Sequence, residues 1–417
     1  MSMRDTSSTS AAVTLGMLLL VYSFNFIDRQ IIGILAPAIK ADLQLTDVQL
    51  GALGGLAFAL LYSTIAIPLA WIADRTSRTW VITISLAVWS AFTAACGGAT
   101  GFGQLFAARI GVGVGEAGGV APSYAVIADS FPVDRRARAL AIYSLGIPLG
   151  SAAGVLLGGQ IATAVNWRSA FITVGLAGLL LAPVFRLVVR EPARSAIIEP
   201  DRVAVARVFG ILARKPSFWL LAFGASVSSM LGYGLAFWLP SMMKRSFQLD
   251  LIGTSWFIGG LLLIGGVGGM LLGGVLGDRL GRVDRAAYAR VPAVAFVAAV
   301  PLFALGVLAH SVTAAFLLIL IPQALIYMWL GPVITAVQHL VPHHMRATAS
   351  ASFLLINNLI GLGAGSTLLG LLSDHLTTRF GAEALRYSML SSLPLYLLAG
   401  ALMALAARPL RRDWIAA

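Results

Sequence analysis

Apolar runs of about 20 residues recur along the whole 417-residue chain, each long enough to cross roughly 30 Å of hydrocarbon. They are continuous rather than alternating, which argues against a membrane β-barrel. The expected architecture is all-α and integral to a membrane, with twelve spans. Their limits fall near 11–37, 47–73, 79–98, 104–127, 138–162, 168–190, 217–240, 252–276, 286–309, 312–337, 346–372 and 386–407. Only 11% of residues are charged, against about one quarter in soluble proteins. Little of the chain is left for a domain outside the membrane. The polar start, 1–10, lacks the features of a secretory signal, so the first span is expected to be retained.

The formal charge of +12 invites a nucleic-acid reading, but its distribution speaks against one. With both termini inside, 21 of the 29 Lys and Arg fall in cytoplasmic segments, six fall outside and two lie within the membrane. That asymmetry is the positive-inside pattern. It sets the N and C termini in the cytoplasm, across an inner membrane if the source is bacterial. The single cysteine, Cys96, excludes an intrachain disulfide and a cysteine metal cage. No metal and no cofactor are expected, and the expected state is a monomer.

The two halves repeat at an offset near 205 residues. Ala70-Trp71-Ile72-Ala73-Asp74-Arg75-Thr76-Ser77-Arg78 follows the second span, and Gly274-Val275-Leu276-Gly277-Asp278-Arg279-Leu280-Gly281-Arg282 follows the eighth. Arg136-Ala137-Arg138-Ala139 precedes the fifth span and Arg346-Ala347-Thr348-Ala349 the eleventh. This is a six-plus-six duplication: bundles at 1–190 and 216–417, with a basic cytoplasmic linker at 191–215 that carries a short surface helix near 203–213.

These landmarks resemble the major facilitator superfamily. The G-x-x-x-D-R-x-G-R signature is complete at Gly274, Asp278, Arg279, Gly281 and Arg282. The first copy keeps Asp74, Arg75 and Arg78 but has Ala70 and Ser77 in place of the glycines. Arg109 and Gly113 match the R-x-x-x-G pattern of the fourth span. Gly146-Ile147-Pro148-Leu149-Gly150, with Gly154, Gly158 and Gly159, is similar to a motif associated with antiporters. Within the superfamily the chain is similar to the Spinster family. The residues that carry this are Asn25-Phe26-Ile27-Asp28-Arg29, Gly113-Val114-Gly115-Glu116-Ala117, Ala121-Pro122-Ser123-Tyr124, Ala128-Asp129-Ser130-Phe131 and Ile147-Pro148-Leu149-Gly150. Phe26 stands where that family usually has tyrosine. The resemblance implies two six-helix bundles around a central cavity, alternating access, transport of amphipathic lipids of sphingolipid or lysophospholipid type, and proton coupling.

Four charges in two spans stand out physically. A charged side chain at bilayer depth costs roughly 2.5–3.5 kcal/mol on insertion scales. Asp28 lies about 24–26 Å along the first helix, and Arg109 falls at a similar depth on the fourth, which runs the other way. Glu116 shares the face of Arg109, about 10 Å nearer the midplane. Tyr22, Asn25 and Arg29 share a face, with Asp28 about 100° away, so Asp28 is expected to meet a neighbouring helix and Arg29 the cavity. Arginine holds its proton, so Asp28 and Glu116 are the candidate proton carriers. The competing reading is a permanent ion pair that only joins helices.

The remaining candidates follow from residue type. For substrate binding or the charge network they are Asn25, Arg29, Arg109, Tyr143, Tyr233, Trp238, Trp329, Asn357 and Asn358. For gating they are Asp74, Arg75, Arg78, Asp278, Arg279 and Arg282, with Arg135, Arg136 and Arg138 as expected partners of the two aspartates. Pro37, Pro148, Pro240, Pro322 and Pro332 are expected to kink their helices. All four buried charges lie in the first half, and the second is apolar and aromatic, which suits an amphipathic substrate. The rival reading is a proton-coupled multidrug or organic-anion porter. An enzyme is not expected: G-x-S-x-G, H-E-x-x-H and a P-loop are all missing from the sequence.

Overall fold

The computed structural model describes residues 3–192, 205–342 and 345–415, and all regular structure in them is helical. The first six spans are α1 (Met3–Leu43), α2 (Asp47–Gly54) with α3 (Leu56–Arg75), α4 (Arg78–Cys96), α5 (Phe102–Glu116) with α6 (Val120–Ser130), α7 (Val133–Ser144) with α8 (Gly146–Ala164), and α9 (Trp167–Val188). A short helix, α10 (Val205–Ala213), comes next, close to the surface helix expected there. Residues 193–204 of the expected linker lie outside the described residues. The later spans are α11 (Pro216–Phe247), α12 (Leu251–Gly260) with α13 (Val267–Val283), α14 (Ala287–Val307), α15 (Val312–Tyr327) with α16 (Leu330–Gln338), α17 (Arg346–Phe380), and α18 (Ala384–Ser392) with α19 (Pro394–Asp413). A π-helical turn at Leu261–Gly266 joins α12 to α13.

Eleven helical stretches are long and apolar enough to cross a membrane, and the last, Thr348–Asp413, has 66 residues. At 1.5 Å per residue it would extend about 100 Å, three times a hydrocarbon core. It turns back at Gly381, whose φ of 54° is open to glycine at little cost. Beyond the turn, Ser388 Oγ donates to the Leu369 carbonyl at 2.7 Å, so α18 lies against α17. Counted as two crossings, the stretch brings the total to twelve.

The five prolines fall into two groups. Pro37, Pro240 and Pro322 lie inside continuous helices. Pro148 and Pro332 are each the third residue of a helix that restarts after a break, at Leu145 and at Met328–Trp329. A proline there lacks the N–H that would bond the carbonyl four residues back, so the break and the proline share one cause. One expectation needs correction: the fourth span, expected at 104–127 as one helix. It ends its first segment at Glu116, turns through Ala117–Gly119 and resumes at Val120.

The chain divides into two compact units, Met1–Ala196 with Asp250–Gly259, and Ile197–Leu249 with Gly260–Ala417. Inside each unit the same pairs of spans lie against one another. In the first, α1 packs on α8 and α4 on α9; in the second, α11 packs on α17 and α14 on α19. Small residues let these backbones approach, as is usual where lipid removes the hydrophobic drive between helices. A Cβ at Gly150 of α8 would lie 2.2 Å from the Ser23 carbonyl oxygen of α1. The counterpart is Gly365 of α17, where a Cβ would lie 1.8 Å from the Met230 carbonyl oxygen of α11.

Candidate functional site

The four expected charges gather in the first unit as two ion pairs. Arg109 Nη1 of α5 donates to Asp28 Oδ1 of α1 at 3.3 Å. Arg29 Nε of α1 donates to Glu116 Oε2 of α5 at 2.8 Å. Asp28 and Arg109 are each 1% exposed and Glu116 is 0% exposed, whereas the Arg29 side chain keeps 11%. Equal depth accounts for the first pair. For the second, helical side chains lean toward their own N-terminus. That carries Arg29 toward the depth of Glu116, a full two turns from Arg109.

Close helix contacts fix this geometry. A Cβ at Gly113 would lie 2.4 Å from the Phe58 carbonyl oxygen of α3, and one at Gly115 would lie 2.5 Å from the Trp89 nitrogen of α4. α5 is thereby pressed against two neighbours on either side of Val114, immediately before Glu116. Phe26, Phe58 and Tyr62 surround the Arg29 guanidinium, with ring centroids 5.0, 4.7 and 4.8 Å away. Each such contact attracts a desolvated guanidinium by about 0.5–2 kcal/mol, which offsets part of the cost of leaving water. Thr93 of α4 completes the Asp28 site, its Oγ1 hydrogen-bonding Asp28 Oδ2.

The cluster holds two acids and two arginines, so it is formally neutral. Its hydrogen bonding is incomplete: Asn25 Oδ1, Arg109 Nε and Glu116 Oε1 are buried and have no hydrogen-bond partner among the described residues. Unmade bonds of this kind are costly and call for a further partner such as water, an ion or a substrate group. The arrangement can hold a proton on either acid and an anion on either arginine.

The other candidates are spread through both units. Tyr143 stacks on Tyr22 at 4.3 Å and meets Tyr124 edge-on at 5.6 Å, which places an aromatic group beside the α1 face of Asn25. In the second unit, Asn357 is 3% exposed and accepts a bond from Ser229 Oγ at 3.0 Å. Trp238 is fully buried and donates to the Ser366 carbonyl at 2.7 Å, so its indole joins α11 to α17. Trp329 meets Phe353 edge-on, and Tyr233 and Asn358 are half-buried. Among the described residues the buried charged side chains are Asp28, Asp47, Arg109 and Glu116, all in the first unit.

Arg78 and Arg136 meet partners that were not expected. Arg78 pairs with Asp129 at the end of α6. Arg75 lies over Trp71, 3.9 Å from its ring centroid, and Arg136 donates to the Phe131 carbonyl at 2.9 Å. Arg138 is exposed, as are Asp278, Arg279 and Arg282. The side chain of Asp74 lies outside the described residues. In the second unit the ionic centre is Asp284, which bonds Arg290 at 2.9 Å and also Arg411. Arg411, the backbone N–H of Ala286 and Arg290 hold the Asp284 carboxyl down at about 2.

Sequence reasoning missed Thr93, Glu191, Asp284 and the aromatic ring around Arg29. Thr93 was within reach, since the 15 residues from Arg78 place it about 22 Å along its helix, near the depth of Asp28. Glu191 carried no such signal. Its carboxylate accepts from Ser77 Oγ at 2.7 Å and from the N–H groups of Arg78 and Thr79 at 3.0 and 2.9 Å, which caps α4. Burial raises its pKa, but these bonds outweigh that and hold it below the ordinary carboxylate value.

Comparison with known proteins places this geometry in context. The family model described as Major Facilitator Superfamily matches residues 18–365. An MFS-type efflux pump of Mycolicibacterium smegmatis is 34% identical over 412 residues, 97% of this chain and 94% of that protein. Human protein spinster homolog 1 is 28% identical over 390 residues, 88% of this chain and 74% of that protein. A solved bacterial homologue of the human lysosomal transporter Spinster, in an inward-facing and unoccupied conformation, superposes with a TM-score of 0.90 at 28% identity. The superposition covers 98% of this chain and 99% of that one.

Proposed function

Because the chain belongs to the major facilitator superfamily, we propose that it is a Spinster-like secondary active transporter that moves amphipathic lipids by alternating access, coupled to protons. The supporting observation is the neutral cluster of Asp28, Arg29, Arg109 and Glu116, buried in a unit whose counterpart has no buried charge among the described residues. A lipid with a charged head and an acyl tail needs both environments. The proton rides on Asp28 or Glu116, because arginine does not release its own at accessible pH. An anionic head group that draws Arg29 from Glu116, or Arg109 from Asp28, raises the acid's proton affinity and so couples binding to protonation.

In this reading the bundles are 1–190 and 216–417, the linker is 191–215, and both termini lie in the cytoplasm, with the protein in the inner membrane if the source is bacterial. The Asp-Arg loops bias which face is open. Tyr143, Tyr233, Trp329, Asn357 and Asn358 contribute to substrate contact.

A second reading, a proton-coupled multidrug or organic-anion porter, draws on the likeness to an efflux pump. Proteoliposome uptake with lysophospholipids, sphingolipids and cationic or anionic drugs, with and without an imposed pH gradient, separates the two. Gradient-dependent lipid movement supports the first; gradient-dependent drug movement with no lipid movement supports the second.

A further inference from the structure

We infer that the Thr93 hydroxyl is a two-position hydrogen-bonding group that keeps Asp28 satisfied in both of its protonation states, which makes Thr93 a positioning residue for proton exchange. The inference rests on the reading of Asp28 as a proton carrier and adds the group that lets a buried carboxyl gain and lose a proton without stranding a bond.

Thr93 Oγ1 touches two acceptors. It hydrogen-bonds Asp28 Oδ2, and it lies 2.9 Å from the Trp89 carbonyl one turn back on α4. Both Thr93 and Asp28 are 1% exposed, so their partners come from protein. A hydroxyl has one proton to give and two lone pairs to accept with. When Asp28 is ionised, the proton points at Oδ2, because a charged acceptor outcompetes a carbonyl.

Protonation inverts the need. A proton delivered from water forms an O–H bond at Oδ2, and the O–H bond of the delivering hydronium breaks. The carboxyl is now a donor and requires an acceptor. Arg109 cannot serve, because a guanidinium only donates. Thr93 Oγ1 can, once its own proton has turned to the Trp89 carbonyl. The hydroxyl keeps its proton throughout and only rotates. The contact of Arg109 with Asp28 Oδ1 is undisturbed. The Trp89 carbonyl is held in place, since Gly115 of α5 lies against the Trp89 backbone.

The test uses Thr93→Val, which keeps the shape and loses the hydroxyl, and Thr93→Ser, which keeps the hydroxyl. Infrared difference spectra of the purified protein in vesicles are recorded through a pH titration, and Asp28→Asn identifies the Asp28 carboxyl C=O band. The expected result is a shifted band in Thr93→Val, with a titration midpoint displaced by about one pH unit, ~1.4 kcal/mol, the margin by which a hydrogen bond to the carboxylate exceeds one to the neutral carboxyl. Thr93→Ser keeps the wild-type band and midpoint. If Thr93→Val does not fold, Thr93→Ala is titrated in its place and shows the same displacement. A wild-type band and midpoint in the variant without the hydroxyl overturns the inference and leaves Asp28 as the carrier. If no titrating band disappears in Asp28→Asn, Asp28 exchanges no proton, and the inference falls together with the reading it rests on.

Discussion

Arg29 and Glu116 meet through Nε and Oε2 at 2.8 Å, while the second carboxylate oxygen of Glu116 is buried without a hydrogen-bond partner among the described residues. Arg29 thus holds Glu116 through Nε while its guanidinium lies over the faces of three aromatic rings. That combination needs a planar, delocalised cation. Lysine can make the ion pair or sit on a ring, but not both with the same geometry.

Arg29→Lys is therefore expected to fold and to lose at least about tenfold in transport rate, the equivalent of ~1.4 kcal/mol. Uptake into vesicles, normalised to folded protein, measures this. A rate within twofold of wild type would show that neither the aromatic seat nor the fork geometry matters.

The helix interfaces make a separate prediction. At Gly365 a new Cβ would meet the Met230 carbonyl oxygen at 1.8 Å, and a backbone atom cannot move aside cheaply. Overpacking of this kind costs about 1–3 kcal/mol. Gly365→Ala is expected to lower the melting temperature in detergent by several degrees. At Gly268, by contrast, nothing lies within 4 Å of a new Cβ, so Gly268→Ala is expected to be neutral or slightly stabilising. Equal melting temperatures for the two variants would refute the close approach of α11 and α17.

Much of the twelve-span plan was legible because hydrophobic run length is a strong signal and Asp28, Arg29, Arg109 and Glu116 interrupt it. Depth counting at 1.5 Å per residue also foresaw that Asp28 and Arg109 lie level. The break after Glu116 was not foreseen, because Ala117-Gly118-Gly119 reads as well as a small-residue packing stretch as it does as a turn. Asp284 was overlooked for a related reason: the Asp-Arg signature drew the eye to Asp278, which is exposed, while the arginine that reaches Asp284 lies 127 residues away. Long-range pairing of that kind leaves no periodic trace in a single sequence.

Glu191 predicts a pH dependence. Its carboxylate lies at the N-terminal end of α4, where the helix dipole favours a negative charge. Its pKa is lowered in the folded chain, so the stabilisation is present above the unfolded value of about 4.3 and is lost as pH falls through the folded value. Glu191→Gln is expected to melt a few degrees below wild type at pH 7, with the gap closing as the pH is taken below about 4. Coincident melting curves at pH 7 would mean that the cap contributes nothing.

The central claim is that the buried acids of the first unit carry the coupled proton. The measurement is substrate uptake into vesicles at independently imposed internal and external pH, for wild type, Asp28→Asn and Glu116→Gln. Asparagine and glutamine keep the shape and part of the hydrogen bonding, which limits the penalty of leaving Arg109 or Arg29 unpaired. The account predicts that both variants fold, that wild-type uptake follows the pH gradient, and that each neutralised variant loses that dependence, Asp28→Asn the more completely. Wild-type gradient dependence in both variants would contradict it and reduce the cluster to a structural ion-pair network or a site for the substrate alone.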